Sequence, residues 1–467
     1  HVLFIFRFVS MPKKFNYLLN EKININGRQI YCKVTGDPGS ASDERPYVLA
    51  ITGGPGFGHE ITESYLRPLI EIAHEKNVPF PHFIFYDHLG CGQSDKAIDP
   101  AQEYTVDHFT DLAANVVTSI KHKLGLPRLD LYVEGGSFGS LIAMNFPLRK
   151  SEWLYADSDI RLKQVTSKVG PQGANGWVYT RKFLEDNYSE HANYENILNA
   201  QKKLFSGDFQ NTEDYIINFV LPIKSLYAKD IDKSYFNTIV ERLIARYPRA
   251  IMKGLDFFNR LFKAIGIEFE RLNFAEIMLG KCSLDVLNHF FKTDFDGFNI
   301  LERVKKNKLI YQQVPICLIS ATKDHIVDWR IAENINRELP DSSAAIIFEG
   351  SHMLSKMSHR EVYDQLNYDL LVRGNIAPDD LVHPVIFKQT VNERFNERLA
   401  SAHSSETKVG LSTTMLLTHM PERKTESVTL SEQDSAEMRR EMNIDVAPLE
   451  LNITQEASVI ALRPKFI

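Results

Sequence analysis

The stretch LDLYVEGGSFGSLIAMNF, Leu129 to Phe146, constrains the fold of this chain more than any other. An apolar run with strand character, Leu129 to Val133, reaches a pair of glycines. A serine, a phenylalanine and another glycine follow, and then the apolar spacing of a helix. Gly135-Gly136-Ser137-Phe138-Gly139 fits the pattern G-x-S-x-G. A strand that turns at once into a helix needs glycines where the backbone is strained. It leaves Ser137 at the top of the turn, beside a helix N-terminus that favours negative charge. Ser137 therefore reads as a candidate nucleophile, and the competing reading is a plain Gly-Ser turn between two core elements.

A serine hydroxyl is a poor nucleophile until a base takes its proton, so a histidine oriented by an acid is expected further along the chain. Both appear where strand runs end. Asp324 follows ICLISATK and His352 follows AAIIFEGS, 28 residues later, which is room for one helix and one strand between adjacent sheet positions. His325 and Asp328 carry the same chemistry but sit less directly at a strand end. Acyl transfer also needs two backbone N–H groups aimed at the developing oxyanion. Phe138, the residue after the nucleophile, supplies one candidate. Gly54, in the loop TGGPGFG (Thr52 to Gly58), supplies the other. The segment YDHLGCGQSD contains G-x-G but lacks both the further glycine of a dinucleotide site and a Gly-Lys-Ser/Thr. It reads as a supporting turn, with Asp87 holding the loop through backbone hydrogen bonds.

Strand and helix signals alternate around these pieces, which argues for a parallel sheet with helices on both faces. KININGRQIYCKVTGD alternates apolar and polar residues about Asn26-Gly27, a hairpin signal. TVDHFTDLAANVVTSIKHKLG is a helix with Thr105 as N-cap and Gly125 as C-cap. From about Gly170 to Phe298 strand runs vanish and aromatic-rich helical periods take over, so a helical cap interrupts the α/β unit. The expected organisation is an N-terminal extension over 1–21, an α/β core in two parts (22–169 and 299–374), a cap over 170–298, and a polar C-terminal extension over 375–467 that reads as loop or loosely packed appendage. Met11 is the expected natural start, with residues 1–10 as upstream translation; a cut-down signal peptide is the alternative, disfavoured by Arg7 within the apolar stretch and the lack of a small-residue cleavage site.

The totals narrow the partners. A formal net charge of −6 disfavours nucleic acid, and no run approaches the ~20 apolar residues of a membrane span. The four cysteines, Cys32, Cys91, Cys282 and Cys317, are scattered without CxxC spacing, as expected of free thiols in a cytoplasmic protein; Cys91 lies in a Gly-rich turn that allows partial exposure. No metal or organic cofactor is expected, and the expected partner is a short peptide or small-molecule substrate.

Taken in order and spacing, GGPG, DHLGCGQSD, GGSFGS, ATKD and GSH resemble the α/β-hydrolase superfamily, and within it the proline iminopeptidase (prolyl aminopeptidase) family, over about residues 22 to 372. The resemblance implies a mostly parallel eight-stranded sheet flanked by helices, an inserted helical cap, and release of an N-terminal residue, typically proline, through an acyl-enzyme on serine. It further implies acidic cap residues that bind the substrate's ammonium group. Glu270, in FERLNF, has the most family-like context, with Glu241, Glu268 and Glu276 as neighbours of the same chemistry. The family's usual His-Gly-Gly-Pro-Gly begins here with Thr52, and its Asp-Gln-Arg-Gly reads Asp-His-Leu-Gly, with His88 and Leu89. An esterase or amidase, or a catalytically silent binding protein on the same fold, are the alternatives.

Overall fold

The computed structural model describes residues 15–36, 45–76, 78–189, 194–215, 218–219, 282–295, 297–322, 324, 326–339, 342–347, 350, 352, 360–373, 385–389 and 460–461. Met11, His325, Glu241, Glu268, Glu270 and Glu276 lie outside them.

Eight strands follow one another along the core: β1 (Tyr17–Ile25), β2 (Arg28–Thr35), β3 (Tyr47–Ile51), β4 (His82–Tyr86), β5 (Leu129–Gly136), β6 (Ile160–Lys168), β7 (Ile316–Ala321) and β8 (Ser343–Ile347). They lie in the order β1-β2-β4-β3-β5-β6-β7-β8. From β4 to β8 every pairing is parallel, and β1 and β2 form the antiparallel edge. This is the α/β-hydrolase sheet. The Asn26-Gly27 signal is met by a hairpin whose two turn residues both have positive φ. Thr105 caps the helix Val106–Lys123 by accepting the His108 N–H at 3.2 Å.

Strand β6 is the one the sequence pattern hides. Its residues IRLKQVTSK mix apolar and polar types, although seven of its nine are buried. By contrast β3, β4 and β7 are mostly apolar and buried at every position. Two apolar clusters sandwich the sheet. One gathers the helices Val106–Lys123 and Phe138–Arg149, and the other the helices Pro68–Glu75 and Arg360–Tyr368. The helix after Ser137 is buried at every position from Phe138 to Pro147, so it is the central helix of its layer. Pro68 separates the helices Glu60–Leu66 and Pro68–Glu75, because proline cannot continue the hydrogen-bond ladder.

The described part of the cap is helical: Ala174–Tyr188, Tyr194–Ser206, Thr212–Tyr215 and Leu284–Thr293. Phe290, on the last of these, packs edge-on against Phe138 at 4.8 Å between ring centroids. The cap thus rests directly on the residue that follows Ser137.

The polar C-terminal extension contributes more than a loose appendage. Strand β9 (Val385–Gln389) pairs antiparallel with β8 over five residues, and β10 (Ile460–Ala461) pairs with β9. Without β9, the fully buried strand β8 would become a sheet edge with unpaired N–H and C=O groups. A chain ending at residue 374 is therefore expected to melt at least ~2 °C below the full chain, equivalent to about 1 kcal/mol. Equal melting temperatures would show that β9 adds nothing to the core.

Candidate active site

The turn after β5 has the geometry its sequence requires. Ser137 sits at φ 51°, ψ −122°, a region L-residues rarely enter. Its N–H donates to the Lys168 carbonyl at 2.8 Å. Ser140 Oγ donates to the Gly135 carbonyl at 2.7 Å, closing the turn from the helix side. Two of the motif's glycines are there for close approach. A Cβ at Gly135 would lie 2.0 Å from the Gly139 carbonyl oxygen, and one at Gly139 would lie 2.5 Å from that of Ile51. Phe138 opens the helix, so its N–H is among the first-turn donors that have no intrahelical acceptor.

Asp324 and His352 arrive from the ends of β7 and β8. His352 Nε2 lies 3.1 Å from Ser137 Oγ, and Nδ1 lies 2.8 Å from Asp324 Oδ2. The other Asp324 oxygen accepts the N–H groups of Ile326 (2.9 Å) and Val327 (2.8 Å). The carboxylate, 2 % exposed, is thus pinned so that only one oxygen faces the imidazole. Asp328, the alternative acid, is engaged elsewhere: its Oδ1 accepts the Arg330 N–H at 2.8 Å and the guanidinium Nε–H at 2.9 Å.

Ser137 and His352 open on a cavity of about 190 Å³ that Gly53 and Gly54 also line. Its other walls are mostly apolar: Phe57, Leu66, Leu204, Tyr215, Leu287, Phe291 and Ile326 among them. Gly54 has φ 138°. The space is below the ~300–1,000 Å³ of drug-sized pockets, so it suits a group of amino-acid dimensions.

The sequence reading missed one feature of this cavity. Glu134 and Lys168 both line it, and their charged atoms are 2.6 Å apart, with side chains only 3 % and 5 % exposed. Lys168 also lies 5.5 Å from the ring centre of Tyr363. Burial pushes the Lys168 pKa down, but the Glu134 carboxylate and Tyr363 together outweigh it and raise the net value, so the ammonium stays charged. Among the described lining residues these are the only two acidic or basic side chains apart from His352. The available signal was a glutamate between Val133 and Gly135 at the end of an otherwise buried strand.

Asp87 supports the neighbouring loop as expected. It accepts the backbone N–H groups of His59 and Gln93, each at 2.8 Å, and contacts His59 Nδ1 at 2.7 Å. Burial pushes its carboxyl up, yet these hydrogen bonds hold it below the usual range. His59, Glu60 and Asp87 are the one described group with metal-ligand chemistry at close range. The His59–Asp87 hydrogen bond already satisfies their facing atoms. Cys91, for which the turn allowed exposure, is buried, and all four cysteines are free thiols.

Relatives of known description match parts of this chain. The chain is 27% identical over 239 residues to a proline iminopeptidase of Saccharolobus solfataricus, a match covering 50% of this chain and 66% of that protein. A proline iminopeptidase of Chitinophaga pinensis is 31% identical over 104 residues, 22% of this chain and 30% of that protein. One from Lactobacillus helveticus is 26% identical over 127 residues, 27% and 37% of the two chains. The matches thus span from about a third to just under two thirds of these relatives' length. No protein-family model matches the chain. Among solved structures, VinJ superposes with a TM-score of 0.47 at 16% identity, covering 77% of this chain and all of that one. The enol-lactonase from Burkholderia xenovorans gives 0.43 at 14%, covering 75% and 99%. The chain has the α/β-hydrolase fold and resembles the proline iminopeptidases.

Proposed function

We propose that this α/β-hydrolase is a serine-type aminopeptidase that releases an N-terminal residue, proline first, from short peptides. The observation that carries the proposal is the unbroken contact from Asp324 through His352 to Ser137 at the mouth of a residue-sized cavity. Ser137 Oγ attacks the carbonyl carbon of the first residue and its proton passes to His352 Nε2. The C–N bond then breaks as His352 returns that proton to the leaving nitrogen. Water, deprotonated by the same imidazole, hydrolyses the ester and restores Ser137. Asp324 holds the ring in one orientation and stabilises its cation, and the N–H groups of Gly54 and Phe138 receive the oxyanion.

The substrate's free ammonium needs a partner in so apolar a cavity, since an unpaired buried charge is very costly. Glu270 is the proposed partner. The arrangement of Glu134 favours a second reading, an esterase or amidase acting on neutral acyl groups, because this carboxylate is already neutralised by Lys168. Anilides of free proline and of N-acetylproline, assayed beside simple acyl esters, separate the two. Removing one partner of a buried ion pair costs ~2–5 kcal/mol, so kcat/KM is expected to fall at least about thirtyfold on acetylation. Equal rates on free and acetylated substrates would establish the esterase reading instead. Four free thiols and no described helix long and apolar enough to cross a membrane accord with a cytoplasmic site of action.

A further inference from the structure

His88 lies against both segments that the proposed oxyanion site needs, meeting one at a backbone carbonyl and the other at a side-chain ring. It follows β4, is 1 % exposed, and stands edge-on to three aromatic rings: Tyr86 at 5.0 Å, Phe109 at 5.2 Å and Phe138 at 5.9 Å between centroids. Its Nε2 lies 3.3 Å from the carbonyl oxygen of Thr52. That carbonyl begins the loop that carries Gly54. It also abuts the helix behind Ser137, for a Cβ at Gly139 would sit 2.8 Å from it. Loop, helix and imidazole therefore meet at one oxygen.

Three properties identify the ring's state and its purpose. A carbonyl can only accept, so the proton lies on Nε2. Burial pushes the pKa of His88 down to about 4, so the ring is neutral at ordinary pH. Its other nitrogen, Nδ1, is buried and has no hydrogen-bond partner among the described residues. An unpaired buried polar atom costs ~1–3 kcal/mol. For core packing alone, phenylalanine or leucine would therefore serve better. What histidine adds at this position is a donor to Thr52.

We propose that His88 is a positioning residue for the oxyanion site. It sets the Gly54 N–H through the Thr52 carbonyl and the Phe138 N–H through ring contact, so that both donors address one point. The proposal rests on the reading of Gly54 and Phe138 as those donors. A displacement of a fraction of an ångström matters there, because a misplacement of ~1 Å can cost about a hundredfold in rate.

The test compares His88→Gln, which keeps an N–H donor, with His88→Leu and His88→Phe, which fill the space without one. The donor-free variants are expected to lower kcat ten- to a hundredfold with KM within about twofold, and to weaken a prolyl boronic acid, which forms a tetrahedral adduct on serine, by a similar factor. Free proline, a ground-state ligand, should bind unchanged, and His88→Gln should recover most of the loss. Phenylalanine suits the aromatic surroundings, so it stands in if the leucine variant fails to fold. The inference is overturned if a folded donor-free variant keeps kcat and boronate affinity within twofold of the parent, or if glutamine is as impaired as phenylalanine. Failure of the underlying reading looks different: the parent protein itself would take up neither the boronate nor a fluorophosphonate label at Ser137.

Discussion

Replacing Ser137 with alanine is expected to lower kcat by about 10^4- to 10^6-fold while leaving the fold intact, because removal of a nucleophile from a cooperating set forfeits nearly all its chemistry. The same position offers a control on stability. Ser137 is held at φ 51°, ψ −122° by its N–H bond to the Lys168 carbonyl and by the clasp of Ser140. Such a conformation costs a non-glycine residue ~1–3 kcal/mol, partly offset in glycine by the entropy it loses on folding. Ser137→Gly should therefore be equally inactive yet more stable than Ser137→Ala by about 1 kcal/mol in denaturant unfolding. A folded alanine variant that retained most of its activity would remove Ser137 from the mechanism. A glycine variant no more stable than alanine would show that the turn is relaxed.

Lys168→Met should destabilise the protein by about 3–5 kcal/mol, because it leaves the carboxylate of Glu134 buried without its partner. The double variant Glu134→Leu/Lys168→Met should recover most of that loss. A desolvated ion pair contributes little net stability, and two apolar side chains of similar volume replace it nearly evenly. Chemical denaturation of the parent, both single variants and the double variant closes the cycle. Additive losses would mean the two charges are independently solvated, contrary to their 2.6 Å separation. The double variant also leaves the cavity wall without its charged pair. A selective fall in kcat/KM for peptide substrates in that protein would connect the pair to substrate handling.

Much of this was legible because it is local. The strand before Ser137 and the helix after it announce themselves by hydrophobic run, glycine pair and renewed periodicity. Asp324 and His352 were found because each ends a buried strand, and the parallel order then carries them to the same sheet edge as Ser137. Strand β6 was missed since Arg161, Lys163 and Gln164 break its apolar run. The Glu134–Lys168 pair could not be read, because a charge at a strand position gains a partner only through the register of β5 on β6, which shifts between Leu131 and Tyr132. His88 was visible as a departure from glutamine, but its contact with Thr52 depends on the two strand ends lying side by side. Strand β9 escaped notice for a related reason. Five residues in a polar stretch carry little signal, and the partner strand lies some forty residues upstream.

The sequence separation of 215 between Ser137 and His352 has a consequence for synthesis. At a translation rate of ~5–20 residues per second, the serine leaves the ribosome roughly 10–40 s before its base. During that interval strands β1 to β6 can already pair, and the cap follows before β7 and β8 have been made. A nascent chain thus carries a shaped but unarmed turn. Any release product ending before residue 352 has Ser137 without His352. The proposed serine chemistry therefore waits for the far side of the sheet to be made.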